Sequence, residues 1–142
     1  MGSFVAASDP VNEARPSLVL TSITVVAPDP RLLAAFYATL LGGEIVALDP
    51  ARPGEPENAG WAQVSTSGLT LNFEFEQHWQ VPHWPAEADQ QSATQHLDIR
   101  VEDLAAATDW AVACGARIAE YQPQDDVRVM FDPAGHPFCL FC

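Results

Sequence analysis

Basic residues are scarce in this sequence. The 142 residues include only 6 lysines and arginines against 19 aspartates and glutamates, which gives a formal net charge of −13. So few cations cannot neutralise a phosphate backbone, and the negative charge also argues against an anionic membrane surface. We therefore expect no nucleic acid and no membrane as a partner. A cationic or neutral ligand is compatible with the charge, although solubility alone is a sufficient reason for it.

Long apolar runs and a disulfide framework are absent as well. No stretch approaches the ~20 apolar residues that span a bilayer. The three cysteines, Cys114, Cys139 and Cys142, are odd in number and all lie late in the sequence. They do not form a disulfide framework, which predicts a reducing, cytoplasmic location. The sequence also lacks a glycine-rich phosphate loop and a serine-hydrolase nucleophile elbow. Residues 1–17 lack the basic and apolar regions of a signal peptide, and we predict a flexible leader there.

What the sequence does contain is one pattern that occurs twice. Each copy has an apolar strand, an acidic helix cap, apolar positions at helical spacing and a terminating glycine. Asp29 in the first copy corresponds to Asp103 in the second, and the same offset places Ser22 on His96 and Phe36 on Trp110. Such a repeat predicts two related modules with a binding site between them. Hydrophobic residues make up 48% of the chain, which is enough for a substantial core.

Further strands complete each copy. Besides the first strand and helix, we predict a strand over 44–48 and a hairpin formed by 61–66 and 69–75. The second copy continues with strands over 117–122, 127–131 and 138–142. The fold class is therefore predicted to be α+β, with two tandem βαβββ modules forming a curled mixed sheet around a central cavity. The predicted modules cover 18–76 and 95–142, joined by a linker over 77–94 that is rich in proline, glutamine and tryptophan.

Alternation along the strands separates a helix-facing side from a cavity-facing side. Leu97, Ile99 and Val101 are expected to pack beneath the helices, which leaves the residues between them on the opposite side. The same reasoning for every strand predicts a mixed polar and apolar cavity face, typical of a ligand site. Its predicted members are Ser22, Thr24, Asn72, Glu74, His96, Asp98, Arg100, Arg128, Met130, Cys139 and Phe141.

Tryptophans supply the large aromatic surfaces. Trp61 falls on the cavity-facing side of its strand, while Trp79 and Trp84 lie in the linker. All three are candidates for stacking on a flat or hydrophobic ligand. A lid or a dimer contact is an equally good interpretation of Trp79 and Trp84. Trp110, which corresponds to Phe36, is expected in the core.

These residues resemble a known superfamily. The segments Phe36–Gly43, His96-Leu97-Asp98 and Asp132–Phe138, in the order and spacing of the two modules, are similar to the vicinal oxygen chelate superfamily. That superfamily includes glyoxalase I, bleomycin-resistance proteins, fosfomycin-resistance enzymes and extradiol dioxygenases. The resemblance covers residues 18–142 and is nearest to glyoxalase-like proteins with a Trp-Pro pair before the second module, here Trp84-Pro85. It implies a homodimer.

The resemblance also implies where a metal would bind. Enzymes of this superfamily commonly hold a divalent metal with a histidine near the start of each module and a carboxylate on each module's last strand. The corresponding positions here are Ser22, Glu74, His96 and Cys139. A serine hydroxyl is a poor ligand, and a thiolate suits Zn²⁺ better than hard cations. We therefore expect no metal cofactor, with His96 and Glu74 as ligands if a divalent metal does bind.

The first functional hypothesis is a metal-free protein that sequesters a drug or natural product, as bleomycin-resistance proteins do. Glu74 and Asp98 would contact its cationic groups. The alternative is a lyase, isomerase or dioxygenase of the superfamily, with His96 and Glu74 as the catalytic residues, with or without a metal. Simpler roles for these two residues are a hydrogen bond of His96 to Asp98 and an ion pair of Glu74 with Arg100 or Arg128.

Overall fold

The computed structural model describes residues 14–142. Most of the predicted leader, residues 1–13, lies outside the described residues. The two helices are α1 (Pro30–Leu41) and α2 (Leu104–Cys114). The strands are β1 (Ser22–Ala27), β2 (Glu44–Asp49), β3 (Trp61–Ser65), β4 (Thr70–Phe75), β5 (Leu97–Arg100), β6 (Arg117–Ile118), β7 (Val127–Phe131) and β8 (Pro137–Phe141).

The strands form two four-stranded mixed sheets with equivalent topology. Their orders are β1-β4-β3-β2 and β5-β8-β7-β6. In each sheet the first strand runs parallel to its neighbour, and the remaining pairs are antiparallel. The prediction of an α+β fold with two tandem βαβββ modules is therefore confirmed, and neither sheet closes into a barrel.

Both helices begin and end at the predicted signals. Asp29 and Asp103 each accept a hydrogen bond from a backbone N–H three residues later, which satisfies one of the free donors of the first turn. Gly42 and Gly115 end the helices in left-handed conformations, with φ of 64° and 119°. Among residues 14–142, no helix is long and apolar enough to cross a membrane.

One hydrophobic core serves both modules. Phe36 and Tyr37 of α1 and Phe73 of β4 meet Phe138 of β8, with ring centroids 6.1 Å apart for Phe36–Phe138 and for Tyr37–Phe138. Tyr37 also stacks on Phe73 at 5.7 Å. Because these rings come from both halves of the chain, the cores of the two modules are continuous.

Polar contacts cross the same boundary. The Tyr37 hydroxyl donates to Asp132 at 2.7 Å, and His136 Nε2 lies 2.9 Å from the Val26 carbonyl oxygen. The Trp110 indole N–H donates to the Leu40 carbonyl oxygen at 3.0 Å. Trp110 is 50% exposed, so its predicted place in the core was wrong. Its N–H reaches a free carbonyl at the end of α1, which keeps the ring at the surface between the helices.

The strand register tests the predicted faces. Ser22, Thr24, Asn72 and Glu74 share one side of the first sheet, because Thr24 pairs with Asn72 and Trp61 pairs with Glu74. In the second sheet, Asp98 pairs with Cys139 and Arg100 pairs with Phe141, again on the predicted side.

The predicted face of β7 was wrong by one residue. Met130 pairs with Phe138 and is fully buried, so Met130 and Arg128 lie on the helix side with Phe138. Apolar residues occur on both sides of β7, and alternation alone therefore could not fix its orientation. Strand β6 is also shorter than predicted. After Ile118 the Gln122 side chain bonds to the backbone of Ala119 and Val129 in place of a strand.

Candidate functional site

A cavity of about 230 Å³ lies between the two modules. We call it the first cavity. Thr24 and Val26 of β1 and His96 before β5 line it, together with His136 and the linker residue Trp79. The two strands are the outer strands of their sheets, so the cavity occupies the junction between the sheets. An aromatic ring and a few hydrogen-bonding groups on an otherwise apolar wall are typical of small-molecule sites.

The linker forms one wall of this cavity. Residues 91–95 line it beside Pro82 and Trp79. The linker folds back on itself, because the His83 N–H donates to the Gln91 carbonyl oxygen at 2.6 Å. It also packs on the turn before β8, where a Cβ atom on Gly135 would lie 2.7 Å from a Val81 methyl group. The wall therefore has a defined shape.

A buried hydrogen-bond network supports the opposite wall. One oxygen of the Asp132 carboxylate accepts the backbone N–H groups of residues 134, 135 and 136, each at 3.0 Å. The other accepts the Tyr37 hydroxyl, and His136 Nδ1 lies 2.9 Å from it. Burial raises the pKa of the Tyr37 phenol well above its usual value, and the Asp132 charge adds to this effect. Tyr37 is therefore a neutral hydrogen-bond donor at physiological pH.

His136 is held at both ring nitrogens. Nδ1 faces Asp132 and Nε2 faces the Val26 carbonyl oxygen, while the ring lies 4.8 Å from that of Trp79. Both nitrogens are occupied, so His136 shapes the first cavity without a free nitrogen for proton transfer.

Three side chains of types that can ligate a metal form a cluster beside the first cavity. The donor atoms of His96, Asp98 and Cys139 all lie within 4.8 Å of one another. His96 Nε2 is 3.1 Å from an Asp98 carboxylate oxygen, so the two side chains are in the contact expected from the simpler role of His96. Burial, and secondly the charge of Asp98, raises the pKa of the Cys139 thiol. Without a metal this thiol is therefore protonated and weakly nucleophilic at neutral pH.

A second, wider cavity of about 550 Å³ lies on the first module. Trp61 and Glu74 line it, together with Asp49 at the end of β2 and with Arg52 and Glu55 of the loop that follows. Neither Arg100 nor Arg128 forms an ion pair with Glu74; within residues 14–142 the contacts at salt-bridge distance are those of His96 with Asp98 and of His136 with Asp132. Glu74 and His96 thus line different cavities.

The remaining predicted site residues are scattered. Asn72 accepts a hydrogen bond from Gln63 at 2.9 Å, and Trp84 stacks on Tyr121 with centroids 5.8 Å apart. Met130 is buried in the core and lines neither cavity. The residues that line neither cavity also include Ser22, Arg100, Arg128 and Phe141. The ligand-binding role of this set stays a prediction.

Sequence reasoning missed two contributors to the first cavity. His136 was not among the predicted site residues, and neither were residues 91–94 of the predicted linker or residue 95 at the start of the second module. The signal for His136 was present, since an Asp-Pro-Ala-Gly-His turn places the histidine four residues after an acceptor. The linker carried no comparable signal, because its position depends on contacts with Gly135 and not on local pattern.

The structure does not assemble the metal ligands that the resemblance implies. His96 and Cys139 lie together, but the third member of their cluster is Asp98, and Ser22 and Glu74 are not part of it. An imidazole, a carboxylate and a thiol form a donor set for Zn²⁺, whereas Mn²⁺ and Mg²⁺ prefer oxygen ligands. The residues present therefore do not fit a hard-cation site built from both modules.

Solved structures with the same fold include antibiotic-resistance proteins. The fosfomycin resistance protein FosX from Listeria monocytogenes, in a mutant form complexed with Mn(II) and 1S,2S-dihydroxypropylphosphonic acid, superposes with a TM-score of 0.66 at 15% identity. The match covers 87% of this chain and 90% of that chain. FosX from Mesorhizobium loti has a TM-score of 0.62 at 10% identity, with 87% and 90% covered.

A glyoxalase family protein from Enterococcus faecalis has a TM-score of 0.65 at 17% identity, with 87% of this chain and 97% of that chain covered. At such identities these similarities establish the fold alone. No curated protein sequence matches the chain. The family model of the glyoxalase-like domain matches residues 22–141, which span both modules. The chain therefore belongs to the glyoxalase-like domain family, within the vicinal oxygen chelate superfamily.

Proposed function

We propose that this protein binds a small organic molecule in the first cavity, through contacts that need no metal ion. The observation that carries the proposal is the composition of the cavity wall. Trp79 offers an aromatic face, Thr24 and His96 offer hydrogen-bonding groups, and both modules and the linker contribute. A wall drawn from three parts of the chain encloses a ligand on several sides.

The volume of the first cavity and the net charge of the protein restrict which ligands are suitable. The first cavity, at about 230 Å³, is smaller than the range of about 300–1,000 Å³ that is usual for drug-sized ligands, which favours a compact molecule. The net charge of −13 favours a cationic molecule by long-range attraction and does not repel a neutral one. A drug or natural product with a single ring and an amine or hydroxyl group meets these conditions. Sequestering it would protect its cellular target.

Tryptophan fluorescence tests this proposal directly. Trp79→Phe keeps an aromatic ring but removes the indole from the first cavity, while Trp110→Phe is the matched control outside both cavities. A panel of aromatic amines and antibiotics should quench the wild-type protein and the Trp110→Phe variant saturably. Quenching should fall at least 3-fold in Trp79→Phe. No saturable quenching across the panel, or equal quenching in both variants, would contradict the proposal.

An enzyme of the superfamily is the second candidate. The observation that favours it is the fold shared with FosX, which was solved with Mn(II) and a dihydroxypropylphosphonic acid. The separation of His96 and Glu74 into different cavities weighs against their predicted role as a catalytic pair. Incubation with fosfomycin and Mn²⁺, followed by mass spectrometry, separates the two candidates. We expect fosfomycin to be recovered unchanged, and a stoichiometrically modified product would establish the enzyme instead.

We also propose a homodimer, as the family resemblance implies. The exposed apolar residues Ile45, Val46 and Leu48 on the outer strand β2 support this proposal, because such a strand is a common site of association between copies. Sedimentation velocity should give about twice the mass of one chain. A monomer at micromolar concentrations would exclude a stable dimer.

A further inference from the structure

The second module carries a cluster of donor groups of which only His96 lines the first cavity. His96, Asp98 and Cys139 each present one ligand atom, and the three atoms lie within 4.8 Å of one another. From the geometry of this cluster we infer that the module holds a zinc ion or another thiolate-preferring divalent metal, and that Mn²⁺ binds there weakly. This inference does not rest on the proposed binding of an organic molecule.

The strand register brings the three groups together. Asp98 and Cys139 are paired positions on the parallel strands β5 and β8, so their side chains stand next to each other on one face. His96 precedes Asp98 by two residues and projects from the same side. Backbone pairing therefore fixes Asp98 and Cys139 relative to each other, and His96 lies directly before β5.

The distances suit a tetrahedral metal. Zinc–ligand bonds of about 2.0–2.3 Å place neighbouring ligand atoms roughly 3.3–3.8 Å apart. His96 Nε2 and the Asp98 oxygen are 3.1 Å apart, and no pair of donor atoms in the cluster exceeds 4.8 Å. Small side-chain rotations suffice to bring the more distant donor atoms to the separation of zinc ligands. The side chains of His96 and Asp98 are 49% and 59% exposed, which leaves an entry path and freedom to adjust.

The chemistry of the donors selects the metal. Thiolate and imidazole ligands favour Zn²⁺, Co²⁺ and similar ions, whereas Mn²⁺ favours carboxylates and water. The metal arrangement implied by the resemblance draws ligands from both modules. Here all three come from the second module, and the first module's Ser22 and Glu74 contribute nothing. Three protein ligands leave one coordination position for water or another molecule.

Cobalt spectroscopy tests the site without any assay of activity. Cobalt bound by a thiolate gives a sulfur-to-metal charge-transfer band in the near ultraviolet. We expect this band in a Cys114→Ser, Cys142→Ser background, where Cys139 is the remaining cysteine. It should disappear in Cys139→Ser. Adding one equivalent of Zn²⁺ should abolish the band, whereas the same amount of Mn²⁺ should leave it unchanged.

Zinc affinity gives the quantitative test. Competition with a chromophoric chelator should show one Zn²⁺ per chain, and His96→Ala or Asp98→Asn should weaken its binding by about 100-fold and about 10-fold or more, respectively. His78→Ala, in the exposed linker, is the matched control and should change nothing. Circular dichroism checks that each variant is folded. Absence of the cobalt band, its survival in Cys139→Ser, or binding of Mn²⁺ as tight as that of Zn²⁺ would overturn the inference.

Discussion

At the scale of single residues, the most constrained group is the Asp132 carboxylate. It is buried, and it joins Tyr37 of the first module to His136 of the second. Removing the Tyr37 hydroxyl in Tyr37→Phe deletes a hydrogen bond to a charged group. The free energy of unfolding should fall by about 1.5–3 kcal/mol at pH 8, measured by urea denaturation.

The same substitution should change the pH dependence of stability. Burial and the Asp132 charge raise the pKa of Tyr37 in the native state, so the unfolded chain releases this proton first as the pH rises. The unfolded phenol titrates near about pH 10, and stability is therefore lost above that pH but not below it. Tyr37→Phe removes this contribution. Wild type should lose more stability than Tyr37→Phe between about pH 9 and 11, and equal losses would contradict the assigned burial.

At the scale of elements, the end of α1 depends on two glycines with different requirements. Gly42 has a φ of 64° and open space around it, so Gly42→Ala should cost about 1–2 kcal/mol through backbone strain alone. A Cβ atom on Gly43 would clash with the Ser65 carbonyl oxygen at the end of β3. Gly43→Ala should therefore cost more, about 3 kcal/mol.

Thermal unfolding of the two alanine variants checks this ranking. Gly42→Asn serves as a further control, because asparagine tolerates the left-handed conformation and should be nearly neutral. A larger loss in Gly42→Ala than in Gly43→Ala would mean that α1 does not approach β3 as described.

Local patterns predicted the elements well but not every orientation. In β5 the apolar residues Leu97 and Ile99 alternate with Asp98 and Arg100, so the buried side was evident from sequence. In β7 apolar residues occupy both sides, and the face of Met130 was wrong for that reason. Trp110 shares its repeat position with Phe36, yet its side chain is half exposed at the surface between the two helices. Equivalent positions in a repeat need not share an environment, because each module packs against different neighbours.

The candidate site was harder to predict than the fold. Alternation placed Glu74 and His96 on the same type of face, but they belong to different sheets and line different cavities. The relative placement of the sheets follows from contacts between distant residues, such as Tyr37 with Asp132, about which a single strand carries no information. The family resemblance implied His96 and Cys139 as neighbouring positions, and alternation placed Asp98 on the same face, whereas the register shows that Asp98 lies directly beside Cys139.

At the scale of the whole molecule, the shared core predicts that both modules unfold together. Phe138 contacts Phe36 and Tyr37 of the other module, and Phe138→Ala should cost about 3–5 kcal/mol. Trp61 reports on the first module and Trp110 on the second. In variants that keep one of these tryptophans, denaturant midpoints should coincide and shift equally with Phe138→Ala. Two separate transitions would show that the modules are independent domains.

Under the proposed function, the linker wall bears on how ligand specificity changes among relatives. Its shape rests on backbone hydrogen bonds such as that from His83 to Gln91, while side chains including Trp79 and Ser92 face the first cavity. These side chains contribute little to the common core, so they are free to diverge without loss of folding. Under the proposed function, relatives with similar sheets but different linker side chains are expected to bind different molecules. When a ligand known for one relative is assigned to another, similarity of the linker sequences should therefore count before overall sequence identity.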